Sequence, residues 1–232
     1  MKIVEIEATN RCNTHCLHCP REAISRGLGT MTWDTYRIVV DKALSVPGYQ
    51  AVYFSGMGEP TLNPLLPRFI VHISDRVPTA VTTNGSVLDS AGIADLIGAG
   101  LSQVIVSYTG HTPELYRLMS GGLDLERVDA CIRELVQQGK GRLRVSANVS
   151  VTRQNREHLA EIRAHLEKLG VDDIVFALCH NRGGYLDDPQ VCDTPPPPAD
   201  IGRCDIFAET LFVAWNGLVL ACCHDLEGAG QV

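Results

Sequence analysis

Three cysteines near the start of the chain have a spacing that suits metal binding. They form the pattern Cys12-x3-Cys16-x2-Cys19 and follow an alternating apolar stretch, residues 2–8, that predicts a β-strand. Three thiolates on a short loop can bind three irons of a cubane iron–sulfur cluster, which leaves the fourth iron without a protein ligand. A small molecule that chelates metal can occupy that fourth position.

The spacing alone leaves two other interpretations open. A structural zinc site normally has four protein ligands and often comes as paired Cys-x2-Cys units, and three unrelated cysteines can simply be buried in a core. The chain has nine cysteines in all. In a reducing compartment this number favours metal ligands or reactive thiols over disulfide bonds.

Polar groups also follow the next predicted strands. Gly58-Glu59-Pro60 comes after the second strand and Thr83-Asn84-Gly85 ends the third, while Ser107 and Asn148 fall on the fourth and fifth. Either tripeptide by itself is typical of a turn. A carboxylate and free carbonyl groups also accept hydrogen bonds from an ammonium group, and an asparagine amide can bond sugar hydroxyls.

The elements that would position these residues alternate along the chain. We expect strands at residues 2–8, 51–55, 79–83, 103–107, 142–151 and 173–178, separated by helices at 33–46, 64–75, 87–99, 125–139 and 156–169. This alternation predicts an α/β fold with a mainly parallel sheet. Six units are too few for a closed eight-stranded barrel, so residues 1–180 should form a partial (β/α)6 barrel with its site at the carboxyl ends of the strands.

The composition changes after the sixth strand. Residues 181–203 are rich in Gly, Asp and Pro and include Pro195 to Pro198, which predicts a linker with a polyproline segment. A hairpin follows at residues 211–221, where Asn216-Gly217 suits a type I′ turn. We expect residues 204–232 to form a small C-terminal β-hairpin extension.

Bulk properties exclude several functional classes. The 232-residue chain has a net charge of -7, and it lacks the basic stripe that nucleic-acid binding requires. No apolar run approaches the ~18 residues of a membrane span. The first residues lack the apolar stretch of a signal peptide, so we expect a cytoplasmic protein without a membrane partner.

The cysteine triad, Gly58-Glu59-Pro60 and Thr83-Asn84-Gly85, in this order on consecutive strands, resemble the radical S-adenosylmethionine (SAM) superfamily. The resemblance implies that a [4Fe-4S] cluster on the three cysteines binds SAM at its open iron and cleaves it reductively. The resulting 5′-deoxyadenosyl radical would remove a hydrogen atom from a substrate, with flavodoxin or ferredoxin as electron donor. The implied SAM-binding residues are His18, Gly58, Glu59, Pro60, Thr83, Asn84, Ser107 and Asn148.

The C-terminal cysteines extend this resemblance. The spacing Cys204-x12-Gly217-x4-Cys222 is similar to the opening of the SPASM/twitch extension, which implies an auxiliary iron–sulfur cluster on Cys204 and Cys222. Members of that group complete the cluster with cysteines further downstream. Here either the sequence is a fragment, or Cys192 or Cys223 supplies a further ligand; a reduced hairpin with a buried cysteine pair is the alternative.

Residues 181–187, Asn-Arg-Gly-Gly-Tyr-Leu-Asp, resemble a segment of the twitch-type dehydrogenases that oxidise 2-deoxy-scyllo-inosamine. This implies that Arg182 is a catalytic residue facing the substrate, although a surface arginine fits the residues too. The implied reaction is oxidation or epimerisation at a hydroxylated carbon of an aminocyclitol or sugar. Two alternatives remain: a radical SAM enzyme that epimerises or cross-links a peptide, and a non-catalytic iron–sulfur or zinc binding module.

Overall fold

The computed structural model describes residues 2–186, 188–192 and 204–230. Their strands form one sheet in the order β6-β5-β4-β3-β2-β1-β7-β8, in which every pair is parallel except β7–β8. The predicted α/β fold is confirmed, with a mostly parallel sheet consistent with a partial barrel. The strands are β1 Lys2–Ile6, β2 Tyr49–Phe54, β3 Thr79–Thr83, β4 Gln103–Ser107, β5 Arg144–Val151, β6 Asp173–Leu178, β7 Thr210–Val213 and β8 Val219–Leu220.

Helices follow the strands, and side chains cap several of their amino ends. Thr32, Asp89, Thr112 and Asp124 each accept a hydrogen bond from a backbone N–H of the first turn, which satisfies a donor that the helix leaves free. None of the described helices is long and apolar enough to cross a membrane. The helices are α1 Trp33–Ser45, α2 Leu66–Ile73, α3 Ser90–Gly98, α4 Pro113–Ser120, α5 Leu125–Gly139, α6 Leu159–Leu169 and α7 Asp205–Glu209.

The main core lies between the sheet and its helices. In β1, Val4 and Ile6 are fully buried in this core, so Glu5 between them points to the opposite face of the sheet. Tyr36 of α1 stacks on Phe69 of α2 with ring centroids 4.0 Å apart and donates a 2.7 Å hydrogen bond to the Phe69 carbonyl. The helices therefore cover one face of the sheet, and the opposite face is available to form the site.

The C-terminal hairpin continues this sheet, because β7 pairs in parallel with β1 from Ile3↔Thr210 to Ile6↔Val213. The predicted type I′ turn is wrong. Gly217 donates to the Ala214 carbonyl and Ala214 to the Leu218 carbonyl, both at 2.8 Å, and only Gly217 of the turn has a positive φ, 86°. A type I′ turn needs positive φ at two residues, whereas a three-residue loop ending in a glycine bulge needs one.

The cysteines of residues 179–192 also differ from expectation. The sulfurs of Cys179 and Cys192 are bonded to each other, with Cα atoms 5.4 Å apart, so the expectation that the cysteines avoid disulfides is wrong for this pair. Cys192 is therefore not a free thiol for an auxiliary site. The segment folds back because a short 3-10 helix, Arg182–Gly184, follows β6. The predicted polyproline segment lies outside the described residues.

Candidate active site

A cavity of about 190 Å³ opens at the carboxyl ends of the barrel strands. Its lining includes most of the residues that the sequence singles out, brought together from strands β3 to β5 and from the segments that follow β1, β2, β3 and β6. Pro60, Cys204 and Cys222 are not part of the lining. The sequence-predicted residues that line it are Cys12, Cys16, His18, Cys19, Gly58, Glu59, Thr83, Asn84, Ser107, Asn148 and Arg182.

The cysteine loop rests on the end of α4, a helix that the sequence analysis did not predict. Leu17 donates a 3.0 Å hydrogen bond to the Met119 carbonyl, and the Thr14 hydroxyl donates to the Ser120 carbonyl. Gly121 ends α4 with a φ of 70°. A Cβ built on Gly121 would lie 2.3 Å from the His15 carbonyl oxygen, so the backbones meet this closely only because residue 121 is glycine.

The three thiols of this loop are half-buried and near one another. Burial, together with the neighbouring Cys19 and Cys12, raises the pKa of Cys16 to about 12. Burial also raises the pKa of Cys12. In the described parts of the chain, no group of three or more Cys, His, Asp or Glu side chains is arranged so that it could hold a metal ion as it stands. The donor set nevertheless fits a cubane cluster chemically: three neighbouring thiols at the mouth of one cavity.

The loop at residues 56–60 packs directly against the start of the cysteine loop. Glu59 donates its backbone N–H to the Arg11 carbonyl at 2.8 Å. A Cβ on Gly58 would come within 2.2 Å of the Thr9 carbonyl oxygen and 2.6 Å of the Arg11 carbonyl oxygen. Because these neighbours are backbone atoms, a side chain at position 58 would push the two loops apart.

The Glu59 carboxylate is 2% exposed and already accepts four hydrogen bonds from the protein. Thr61 donates through both its backbone and its hydroxyl, Thr83 through its hydroxyl, and Asn84 through its backbone at 2.7 Å. Burial raises the pKa of Glu59, although these donors oppose the change. The side-chain amide of Asn84 donates to Asn13 at 2.9 Å. Through Asn84, Glu59 therefore links the loop at residues 56–60 to the cysteine loop.

Arg182 enters the cavity from the segment after β6. It is the only non-glycine residue in the described chain with a positive φ, 51°, and such strain is concentrated at functional sites. Its guanidinium makes no hydrogen bond or ion pair with the residues that the structure describes. Burial and, to a smaller extent, the Arg182 charge lower the pKa of His18 to about 4. The buried Nδ1 of His18 has no hydrogen-bond partner among the described residues.

Sequence reasoning missed two carboxylates, Glu5 of β1 and Glu7 directly after it. Glu7 is fully buried and forms a bidentate ion pair with Arg26, with both N–O distances 2.6 Å. The same carboxylate accepts 3.3 Å hydrogen bonds from the backbone N–H groups of Met57 and Trp215. It therefore connects the loop at residues 56–60 to the hairpin. Glu5 accepts a hydrogen bond from Ser55, which lines the cavity. The sequence signal that could have identified both carboxylates is the alternation of acidic and apolar residues at the start of the chain.

The hairpin cysteines Cys204 and Cys222 are not among the residues that line the cavity. Cys204 is exposed and precedes α7, whereas Cys222 is partly buried and follows β8. Continuing the β7–β8 register by two residues sets Cys222 opposite Thr210, with the five residues of α7 between Thr210 and Cys204. Next to Cys222, burial raises the pKa of Cys223 to about 12.

Comparison with known proteins gives the family. A profile described as the Radical SAM superfamily matches residues 6–166. The tungsten-containing aldehyde ferredoxin oxidoreductase cofactor-modifying protein of Pyrococcus furiosus is 27% identical over 182 residues, which make up 76% of this chain and 51% of that protein. This chain thus spans about half the length of that relative.

Two solved structures show the same fold. BtrN, in complex with AdoMet and 2-DOIA, superimposes with a TM-score of 0.64 at 22% identity, over 97% of this chain and 74% of BtrN. Streptococcus suis SuiB, bound to its precursor peptide SuiA, gives a TM-score of 0.80 at 15% identity, over 99% of this chain and 61% of SuiB. At these identities the likeness is one of fold.

Proposed function

Because this chain belongs to the radical SAM superfamily, we propose that it binds a [4Fe-4S] cluster through Cys12, Cys16 and Cys19 and binds SAM in the adjoining cavity. When bound, the cluster supplies the electron that cleaves SAM to a 5′-deoxyadenosyl radical, which abstracts a substrate hydrogen atom. The observation that carries this proposal is the shared cavity: the triad, the residue 58–59 motif and the residue 83–84 motif all line it.

The protein residues bind and orient SAM in this scheme. Gly58 lets the loop at residues 56–60 pack closely on the cysteine loop, so that this loop borders the cavity where the SAM amino group would bind, with Thr83 and Asn84 on the side of the ribose. Glu59 fixes these loops through Thr61, Thr83 and Asn84, and its Oε2, which accepts one hydrogen bond among the described residues, can also accept from the SAM ammonium group. Ser107, Asn148 and His18 complete the SAM side of the lining.

The substrate is proposed to be an aminocyclitol or sugar, oxidised or epimerised at a hydroxylated carbon. The support is Arg182, whose guanidinium lines the cavity without a hydrogen bond or ion pair to the residues that the structure describes and can donate to substrate oxygens. The likeness to BtrN, whose structure contains AdoMet and 2-DOIA, points in the same direction. A peptide substrate is the second candidate, because the fold also resembles SuiB bound to its precursor peptide.

An auxiliary cluster on Cys204 and Cys222 belongs to the same proposal. In an oxidation it would take the electron that the substrate radical loses. The free thiol of Cys223, next to Cys222, is the available third ligand in the described chain. A flavodoxin or ferredoxin is proposed as the electron donor to the first cluster.

Deuterium transfer tests the proposed substrate. The anaerobically reconstituted, reduced protein is incubated with SAM and either an aminocyclitol deuterated at its carbinol carbons or a backbone-deuterated peptide, and 5′-deoxyadenosine is analysed by mass spectrometry. Deuterium from the aminocyclitol supports the first candidate. Deuterium from the peptide alone replaces it with the second.

A further inference from the structure

Glu7 lies between β1 and the cysteine loop, and its buried carboxylate supports the loop at residues 56–60. It accepts a 3.3 Å hydrogen bond from the Met57 N–H. Gly56 has a φ of 126°, and a Cβ built on it would lie 2.9 Å from the Glu7 Cγ, so the loop backbone rests on the Glu7 side chain. Gly56 and Met57 line the cavity, whereas Glu7 is fully buried and is not part of the lining. Glu7 therefore supports a part of the proposed SAM site without facing it.

Arg26 neutralises this carboxylate and connects it to the C-terminal part of the chain. Its two terminal nitrogens each lie 2.6 Å from an oxygen of Glu7, and its Nε donates to the Leu226 carbonyl, also at 2.6 Å. The Arg26 side chain is 15% exposed. Because a guanidinium is planar and holds its donors in a fixed arrangement, these three bonds fix the Leu226 backbone relative to Glu7.

Two further contacts join the segment at residues 25–27 to the C-terminal residues. Ser25 donates its backbone N–H and its hydroxyl to the two oxygens of Glu227, both at 2.6 Å. The Trp215 Nε1 donates to the Gly27 carbonyl at 3.1 Å. The segment that follows the cysteine loop is thus held by C-terminal residues that are not among those lining the cavity.

We propose that Glu7 and Arg26 are positioning residues through which the C-terminal residues 215–227 set the affinity for SAM. The contacts run from Leu226 to Arg26, from Arg26 to Glu7, and from Glu7 to Met57 in the cavity lining. A buried ion pair is stable only while both partners and their hydrogen bonds are in place, so a change at Arg26 alters how firmly the Met57 backbone is held. This inference rests on the proposed function and names residues outside the cavity that control its SAM site.

The test separates SAM affinity from stability. Arg26→Lys keeps the charge beside Glu7 but lacks the planar group that binds Glu7 and Leu226 together. Arg76→Lys is the matched control, because Arg76 forms a 2.8 Å ion pair with Asp41 outside the cavity lining. The anaerobically reconstituted proteins are compared by iron content, melting temperature and calorimetry with SAM. After reduction, the release of 5′-deoxyadenosine gives KM for SAM and kcat.

We expect Arg26→Lys to raise the SAM dissociation constant and KM about tenfold, with iron content and kcat unchanged. Glu7→Gln should show the same division between KM and kcat. Glu227→Gln weakens the hold on Ser25 and should raise the dissociation constant roughly threefold. Arg76→Lys should bind SAM as the wild type does, even where its melting temperature falls.

Wild-type SAM affinity in a fully iron-loaded Arg26→Lys variant would overturn the inference, whether or not Glu7→Gln folds. A loss of stability in Arg26→Lys with an unchanged KM would do the same, because the pair would then be purely structural. Failure of the proposed function has a different signature. In that case the iron-loaded wild-type protein neither binds SAM nor releases 5′-deoxyadenosine.

Discussion

Gly121, the residue that follows α4, lies directly against the backbone of His15 within the cysteine loop. The distance of 2.3 Å from a built Cβ to the His15 carbonyl oxygen leaves no space for any side chain. Together with the Leu17–Met119 hydrogen bond of 3.0 Å, this contact makes the end of α4 the support on which Cys16 is held.

Gly121→Ala should therefore disturb cluster binding without removing a ligand. The added methyl group pushes the loop away from α4, so we expect the iron content after anaerobic reconstitution to fall by at least half. Gly122→Ala is the matched control, because Gly122 also has a positive φ, 107°, but no atom within 4 Å of a built Cβ. If iron content fell equally in both variants, backbone strain and not the contact with His15 would be the cause. Wild-type iron content in Gly121→Ala would contradict the prediction.

Glu59→Gln should weaken SAM binding while the cluster stays in place. The amide replaces one accepting oxygen with an NH2 group that faces either the Asn84 N–H or the donors of Thr61 and Thr83, and an unsatisfied buried group costs about 1–3 kcal/mol. This free-energy cost corresponds to a rise in the SAM dissociation constant of roughly tenfold to a hundredfold. Calorimetry measures it, with iron content as the check on the cluster. An unchanged dissociation constant would reduce the motif to a turn.

The hairpin cysteines should hold a second set of irons. Wild-type protein should bind about eight irons if both cubanes form, and the Cys204→Ser, Cys222→Ser double variant about four. SAM cleavage should remain measurable in the double variant, since the radical forms at the first site. Cys131→Ala, which removes a buried thiol of α5, is the control and should keep both sets. Equal iron in the double variant and the wild type would exclude the auxiliary site.

The sequence predicted the parallel sheet and half of the cavity lining because both follow from periodicity and local motifs. Strands alternating with helices require parallel pairing, and the carboxyl ends of parallel strands then meet at one edge. Residues 12–19, 58–59 and 83–84 lie at such ends, so their placement in one lining followed from the strand order alone.

Other features depend on contacts between distant residues, which periodicity does not encode. The role of Gly121 requires the position of His15, 106 residues earlier in the chain. The α4 helix itself carried readable signals, a Thr112 cap and Pro113 at its start, but its eight residues fall in a stretch without strong periodicity. The hydrogen bond from Ser55 to Glu5 and the positive φ of Arg182 emerge only when β1, β2 and the segment after β6 are assembled.

The turn at Asn216-Gly217 shows how tertiary structure selects between local alternatives. Both a two-residue type I′ turn and a three-residue loop with a glycine bulge accept this dipeptide. Pairing of β7 with β1 fixes the register of Val213, and the hairpin then closes with Gly217 alone in the left-handed region.

The formation of 5′-deoxyadenosine from SAM is the measurement that tests the central claim most directly. Anaerobically reconstituted wild-type protein, reduced with dithionite, should release 5′-deoxyadenosine and methionine in equal amounts, whereas Cys12→Ala, Cys16→Ala and Cys19→Ala should each release none above background. Each substitution removes one of the three thiolate ligands. Equal release by the wild type and all three variants, or no release by an iron-loaded wild-type protein, would contradict the assignment of this cavity as a radical SAM site.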